Sequence, residues 1–145
     1  MKQELDYSTV PLTFLHCIHT QCPRANNCLR HNIMQYLAPD RIGIQIVNPV
    51  IIPEDAKDCS LFFADRKAQF ALGITHLLDN VPHAKAKNIK IEMMSYLRRS
   101  TYYRIVKKER LITPGEQNFI RQLFLRYEVK EEPRFDTYVE QYEWE

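Results

Sequence analysis

The chain has 145 residues, 45% of them apolar and 26% charged, with a formal net charge of +2. This is the composition of a soluble globular protein, one ordinary domain or two small modules. No apolar run reaches the ~20 residues of a membrane span, and the opening Met1-Lys2-Gln3-Glu4 has no signal-peptide order. A cytoplasmic protein with reduced thiols is therefore expected, which disfavours a disulfide framework.

In chain order, residues 1–13 read as an extended lead-in ended by Pro11. The segment from Phe14 to Cys28 follows, interrupted by Pro23 and closed by the turn chemistry of Asn26-Asn27. It carries Cys17, Cys22 and Cys28 in a C-x4-C-x5-C pattern, and Cys59, the last of the four cysteines, lies further on. Four clustered thiols suit tetrahedral zinc, and they equally suit an iron–sulfur cluster. The contrary reading is four small buried apolar side chains without metal. His16 and His19 flank Cys17 and rank as second-choice ligands.

A short helix is predicted over Leu29 to Leu37, stopped by Pro39-Asp40. Ile42, Ile44 and Ile46 alternate with small or polar residues and predict a strand. Val50-Ile51-Ile52 predicts a second strand or a bent continuation. Leu61-Phe62-Phe63 is another short apolar run, so a small sheet beside the cysteines is expected. Residues 68–80 begin ambiguously and end as a helix before Pro82. The helical signal then strengthens: residues 89–97 predict one helix, Arg98-Arg99-Ser100 a turn with Ser100 as cap, and residues 101–110 the next helix. Thr113-Pro114-Gly115-Glu116 is a capping box, with Pro114 at the first helical position. Phe119, Ile120, Leu123, Phe124 and Tyr127 form its buried stripe. A last helix is predicted after Pro133, with Phe135, Tyr138, Val139 and Tyr142 on one face.

Charge is distributed in blocks. Residues 1–66 hold 6 basic and 7 acidic side chains, residues 67–127 hold 12 and 4, and residues 128–145 hold 2 and 7. The middle block alone has an electrostatic reason to approach phosphate. The organisation expected is 1–66 as the cysteine part and 67–145 as the helical part of one compact unit.

The order of helix, turn and helix at residues 89–110 resembles the helix-turn-helix of phage-repressor-type DNA-binding domains. In that family the second helix enters the major groove. The resemblance implies contacts to DNA or RNA from Arg98, Arg99, Ser100, Thr101, Arg104, Lys107 and Lys108. The sequence departs from that family at three positions. Tyr96 stands for the turn glycine, Glu92 for a small residue at the helix contact, and Lys108 for the terminal glycine. The last change predicts a helix that ends without a left-handed residue. The contrary reading is a solvated basic face on a helical core, or a face that binds an acidic protein partner.

Over nearly its full length the chain also resembles an uncharacterised bacterial family labelled as a domain of unknown function. The residues that carry this are His16-Cys17, Cys22-Pro23, Cys28-Leu29-Arg30, Val47-Asn48-Pro49 and Cys59. Further on they are Tyr102-Tyr103-Arg104, Thr113-Pro114 with Glu116-Gln117, Phe135-Asp136-x-Tyr138 and Tyr142-Glu143-Trp144. The resemblance implies that the cysteine half and the basic half belong together, and no activity.

Enzyme readings are thin. Asp55, Asp58 and Asp65, or Glu131-Glu132, sit on no recognisable scaffold for acid–base work. A cysteine nucleophile with His16, His19 or His31 as base lacks a family signature. Three glycines in the whole chain leave no phosphate-cradling loop. The sequence thus predicts a mainly helical α+β protein: a cysteine-pinned N-terminal part with a small sheet, and a helical C-terminal part. It predicts a nucleic-acid-binding protein, with transcription regulation as a role open to it, and a structural four-cysteine metal site. The alternatives are a protein-interaction module and an iron–sulfur redox sensor.

Overall fold

A computed structural model describes residues 5–53, 55 and 57–144. The signal-peptide reading of residues 1–4 lies outside the described residues. The fold is α+β and mainly helical, and it divides into two compact units. Unit 1 comprises 1–66 with 143–145, and unit 2 comprises 67–142.

Unit 1 is built from short pieces. Strands β1 (Leu15–His16) and β2 (Gln45–Ile46) pair in parallel. The predicted Ile42–Ile46 strand shrinks to these two residues, and Ile42 projects into solvent. Helix α1 spans only Leu29–Asn32 and continues as a 3₁₀ turn through Tyr36, burying Leu29 and Ile33. The strand expected at Val50–Ile52 is instead a 3₁₀ turn, Pro49–Ile51. The Asn48 side chain accepts from the Val50 amide at 3.1 Å, and proline supplies the turn's first φ. Leu61-Phe62-Phe63 forms no strand, although the backbone beside it is tied: the Leu29 amide donates to the Phe63 carbonyl, and Cys28 bridges Ala64. Phe14 packs edge-on against Phe63 and Trp144. The Arg30 guanidinium lies over Phe14 and Phe63 and donates to the Leu15 and Leu61 carbonyls.

Unit 2 has one continuous core, with Ile89, Met93, Ile105, Ile112, Ile120 and Leu123 almost wholly buried. Strand β3 (Ala68–Leu72) pairs antiparallel with β4 (Thr137–Gln141), and Phe70 opposes Val139. Two expectations are corrected here. Residues 75–80 are turns and not a helix, and the predicted last helix is β4. Its apolar spacing fits either period, and pairing with β3 decides the conformation.

Helix α2 (His83–Leu97) begins earlier than predicted, α3 covers Arg99–Val106, and α4 covers Pro114–Arg126. The capping box of α4 is complete: Glu116 N donates to Thr113 Oγ1 at 3.2 Å, and Thr113 N donates to Glu116 Oε2 at 2.9 Å. Arg110 closes over the same carboxylate in a two-pronged pair. Gln117 is buried and donates from Nε2 to the Gln69 and Ile112 carbonyls, joining α4 to β3.

The C-terminal anchor of unit 2 is a cluster around Gly73. The Asp136 amide donates to the Gly73 carbonyl, and Thr75 Oγ1 donates to Asp136 Oδ2 at 2.6 Å. Lys108 Nζ stands 3.3 Å from the same oxygen. The Thr75 bonds, then the Lys108 charge, hold the Asp136 carboxyl below its ordinary value. Gly73 has φ +86°, and a Cβ there would fall 2.3 Å from Asp136 Oδ2.

Candidate functional site

Two places in the molecule carry chemistry, one in each unit. In unit 1, Cys17, Cys22, Cys28 and Cys59 all line a single cavity, together with His19 and His31. The cavity holds about 30 Å³, enough for one ion or one or two waters. The backbone explains the gathering. The Cys17 amide donates to the Arg30 carbonyl at 2.8 Å, which seats it beside α1, and Cys28 is the residue that opens α1. The Leu29–Phe63 bond and the Cys28–Ala64 bridge bring in the segment that follows Cys59. All four thiols are free. Among the described residues, no three Cys, His, Asp or Glu side chains stand ready to hold an ion as placed.

The two second-choice histidines part company. His16 is 1% exposed, and both of its nitrogens are engaged. Nδ1 lies 3.0 Å from the Phe14 carbonyl and 3.1 Å from that of Gln45, so it must be the N–H. Nε2 then accepts from the Tyr7 hydroxyl at 2.7 Å. His16 is a core histidine and not a ligand. His16 ends β1 and is buried, while Cys17, the next residue, lines the cavity. His19 does line the cavity. His31, which spacing alone did not rank as a ligand, lines it too, and its Nδ1 is buried without a hydrogen-bond partner. It lies three residues after Cys28, the N-cap of α1, and N-cap and N3 side chains meet at a helix start.

In unit 2, α2 and α3 meet through one residue, Arg98, where a three-residue turn was expected. Ser100 accordingly lies inside α3 and is not its cap. Arg98 takes φ +69° and ψ 147°, a conformation L-residues rarely adopt. Tyr102 and Ile105 face the core. Burial and the neighbouring Tyr103 hold the Tyr102 hydroxyl above its ordinary value. Arg98, Arg99, Ser100, Arg104 and Lys107 are exposed, and Thr101 is half-buried. Among the described residues, none of Arg98, Arg99, Arg104 and Lys107 has an acidic partner. Lys108, by contrast, is paired with Asp136.

Lys108 also corrects the expected helix end. It has φ +60° and is itself the left-handed residue, with its amide donating to the Ile105 carbonyl and that of Glu109 to the Arg104 carbonyl. This is the Schellman pattern built without glycine. Glu92, placed where a small residue was looked for, reaches α4 instead. It accepts from Arg126 Nη2 and the Tyr127 hydroxyl, and the latter bond holds the tyrosine above its ordinary value. Tyr96 stacks on Phe119 with ring centres 3.8 Å apart.

No helix among the described residues is long and apolar enough to cross a membrane. Compared with known proteins, residues 1–144 match the model of a family of unknown function, DUF6078. No curated protein and no solved structure matches the chain.

Proposed function

The chain belongs to the DUF6078 family of unknown function, and from that premise we propose that it is a nucleic-acid-binding protein with a structural metal centre in unit 1. The observation that carries the reading is the exposed side of α3 and its two ends, where Arg98, Arg99, Arg104 and Lys107 have no acidic partner among the described residues while Tyr102 and Ile105 fix the helix to the core. Unneutralised guanidinium and ammonium groups on a rigid element are what phosphate contacts require. No side chain caps the start of α3, so its free amides add to the same positive end. The order of α2 and α3 supports a helix-turn-helix-like use of α3, with a tighter junction than the repressor family has. A regulatory role in transcription would follow from duplex DNA as the target.

The four thiols and two histidines around one cavity support a metal in unit 1, zinc or an iron–sulfur cluster, held for structure. Such a site favours a reducing compartment, the cytoplasm. Metal analysis with an absorption spectrum of protein purified without oxygen separates zinc from a cluster.

The binding test is a salt titration against duplex DNA and against RNA. Affinity should fall steeply with ionic strength. Arg104→Ala should weaken it and lower the log–log salt slope by about 0.7–0.9, one phosphate contact's worth. Undetectable binding at low salt rejects the reading and leaves the basic face to an acidic protein partner.

A further inference from the structure

We propose that His31 is a ligand of the unit 1 metal centre, making it a mixed thiolate–imidazole site for a borderline-soft divalent ion such as zinc, in place of a four-cysteine site. The proposal rests on the metal reading above and goes beyond it by naming the donor set.

Four observations lead there. First, His31 Nδ1 is the one buried side-chain nitrogen or oxygen among the described residues that has no hydrogen-bond partner. An orphaned buried acceptor or donor costs about 1–3 kcal/mol, and proteins seldom carry that cost without a use for the group. Second, the residue lines the same cavity as all four thiols. Third, Cys28 is the N-cap of α1 and His31 its third residue, the N-cap and N3 positions whose side chains meet at a helix start, as in a capping box. Fourth, the competing histidines are less suited. Both nitrogens of His16 are engaged in the core, and His19 has no buried orphan nitrogen.

The surrounding charge fits a thiolate-rich centre. Arg24 and Arg30 also line the cavity. Arg24 is held over Phe62 with a bond to the Lys57 carbonyl, and Arg30 by the Leu15 and Leu61 carbonyls. Two fixed guanidinium groups thus offset the negative charge that thiolates would bring to a site only one ion wide. The side chains as placed do not already form a ligand group, so ion capture draws the thiols and the imidazole inward by side-chain rotation. A tetrahedral ion takes four ligands. With His31 among them, one of the four cysteines remains outside the coordination sphere.

The test uses the full-length chain, reduced and loaded with zinc alone, read by metal stoichiometry and by X-ray absorption at the zinc edge. The expected shell is three sulfurs at about 2.3 Å and one nitrogen at about 2.0–2.1 Å. His31→Gln should remove the nitrogen and weaken zinc binding at least ~10-fold. His31→Cys should keep tight binding with a four-sulfur shell, which guards against a trivial folding failure of the first variant. A four-sulfur shell in the unsubstituted protein, with His31→Gln binding zinc as tightly, overturns the assignment of His31 and leaves the metal reading standing. If the reduced protein takes up neither zinc nor cobalt, the assignment of His31 falls together with the zinc form of the metal reading.

Discussion

Gly73→Ala is the substitution whose cost can be worked most fully from the structure. At φ +86° an alanine meets a left-handed penalty of about 1–2 kcal/mol. Its Cβ would also fall 2.3 Å from Asp136 Oδ2 and 2.9 Å from Lys108 Cε. Lys108 is half-exposed and can swing away at little cost, because a solvated ion pair contributes ~1 kcal/mol or less. Asp136 cannot move without giving up the 2.6 Å bond from Thr75, and a hydrogen bond to a charged group is worth about 1.5–3 kcal/mol. The total is about 2.5–5 kcal/mol. In urea this should lower the midpoint by about 1.2–2.5 M at an m-value of about 2 kcal/mol/M, with the slope unchanged. The decisive measurement is the cycle with Asp136→Ala. In that background the clash has no carboxylate to displace, so Gly73→Ala should cost only the backbone penalty. An equal cost in both backgrounds, or less than ~0.5 kcal/mol in the unsubstituted protein, would refute the reasoning.

The remaining predictions concern the junctions and the site. Arg98→Gly should stabilise unit 2 by about 1 kcal/mol in chemical denaturation, because the φ +69°, ψ 147° conformation is close to glycine-only territory. Thr113→Ala should cost about 1 kcal/mol, the usual value of a side-chain cap, by the same measurement. The lowered Asp136 value implies stability that is fully present above the ordinary carboxylate value and lost as pH falls through the lowered one. A denaturation series below about pH 4 should therefore show a shallower acid limb for Asp136→Asn. A chelator should lower the melting temperature of zinc-loaded protein, and Cys28→Ser should remove that sensitivity.

How much of this was legible in sequence depends on how local the cause is. The capping box at Thr113–Glu116 could be read from four residues because all its bonds lie within them. Strand β4 could not. Phe135, Tyr138, Val139 and Tyr142 are spaced for a helix as well as a strand, and the deciding partners, β3 and Gly73, lie more than sixty residues earlier. At Val50–Ile52 the apolar run suggested a strand, while Asn48-Pro49 had already fixed a turn. In the candidate site, the cysteines that cluster in sequence line one cavity, with His19 and His31. Nearness to Cys17 in sequence says nothing of direction: His16 is turned into the core, where both of its ring nitrogens are engaged.

The two units also differ in what holds them, and this bears on the metal. Unit 2 has a continuous apolar core spanning three helices and strand β3. Unit 1 has two-residue strands, a four-residue helix and a scatter of buried apolar side chains, two of them, Phe14 and Tyr7, engaged by cation–π contacts from Arg30 and Arg41. A unit of that size rarely gains enough from apolar burial alone, and the usual supplement is a disulfide or a metal. Its four thiols are free, and on the proposed reading a metal supplies that supplement. On the proposed reading, the ion would stand where a larger core would otherwise be, and the cavity lined by Cys28 and His31 would be its seat. The cost of removing it should then appear as folding free energy of unit 1. Binding through α3 should change little, since Tyr102 and Ile105 are seated in the core of unit 2.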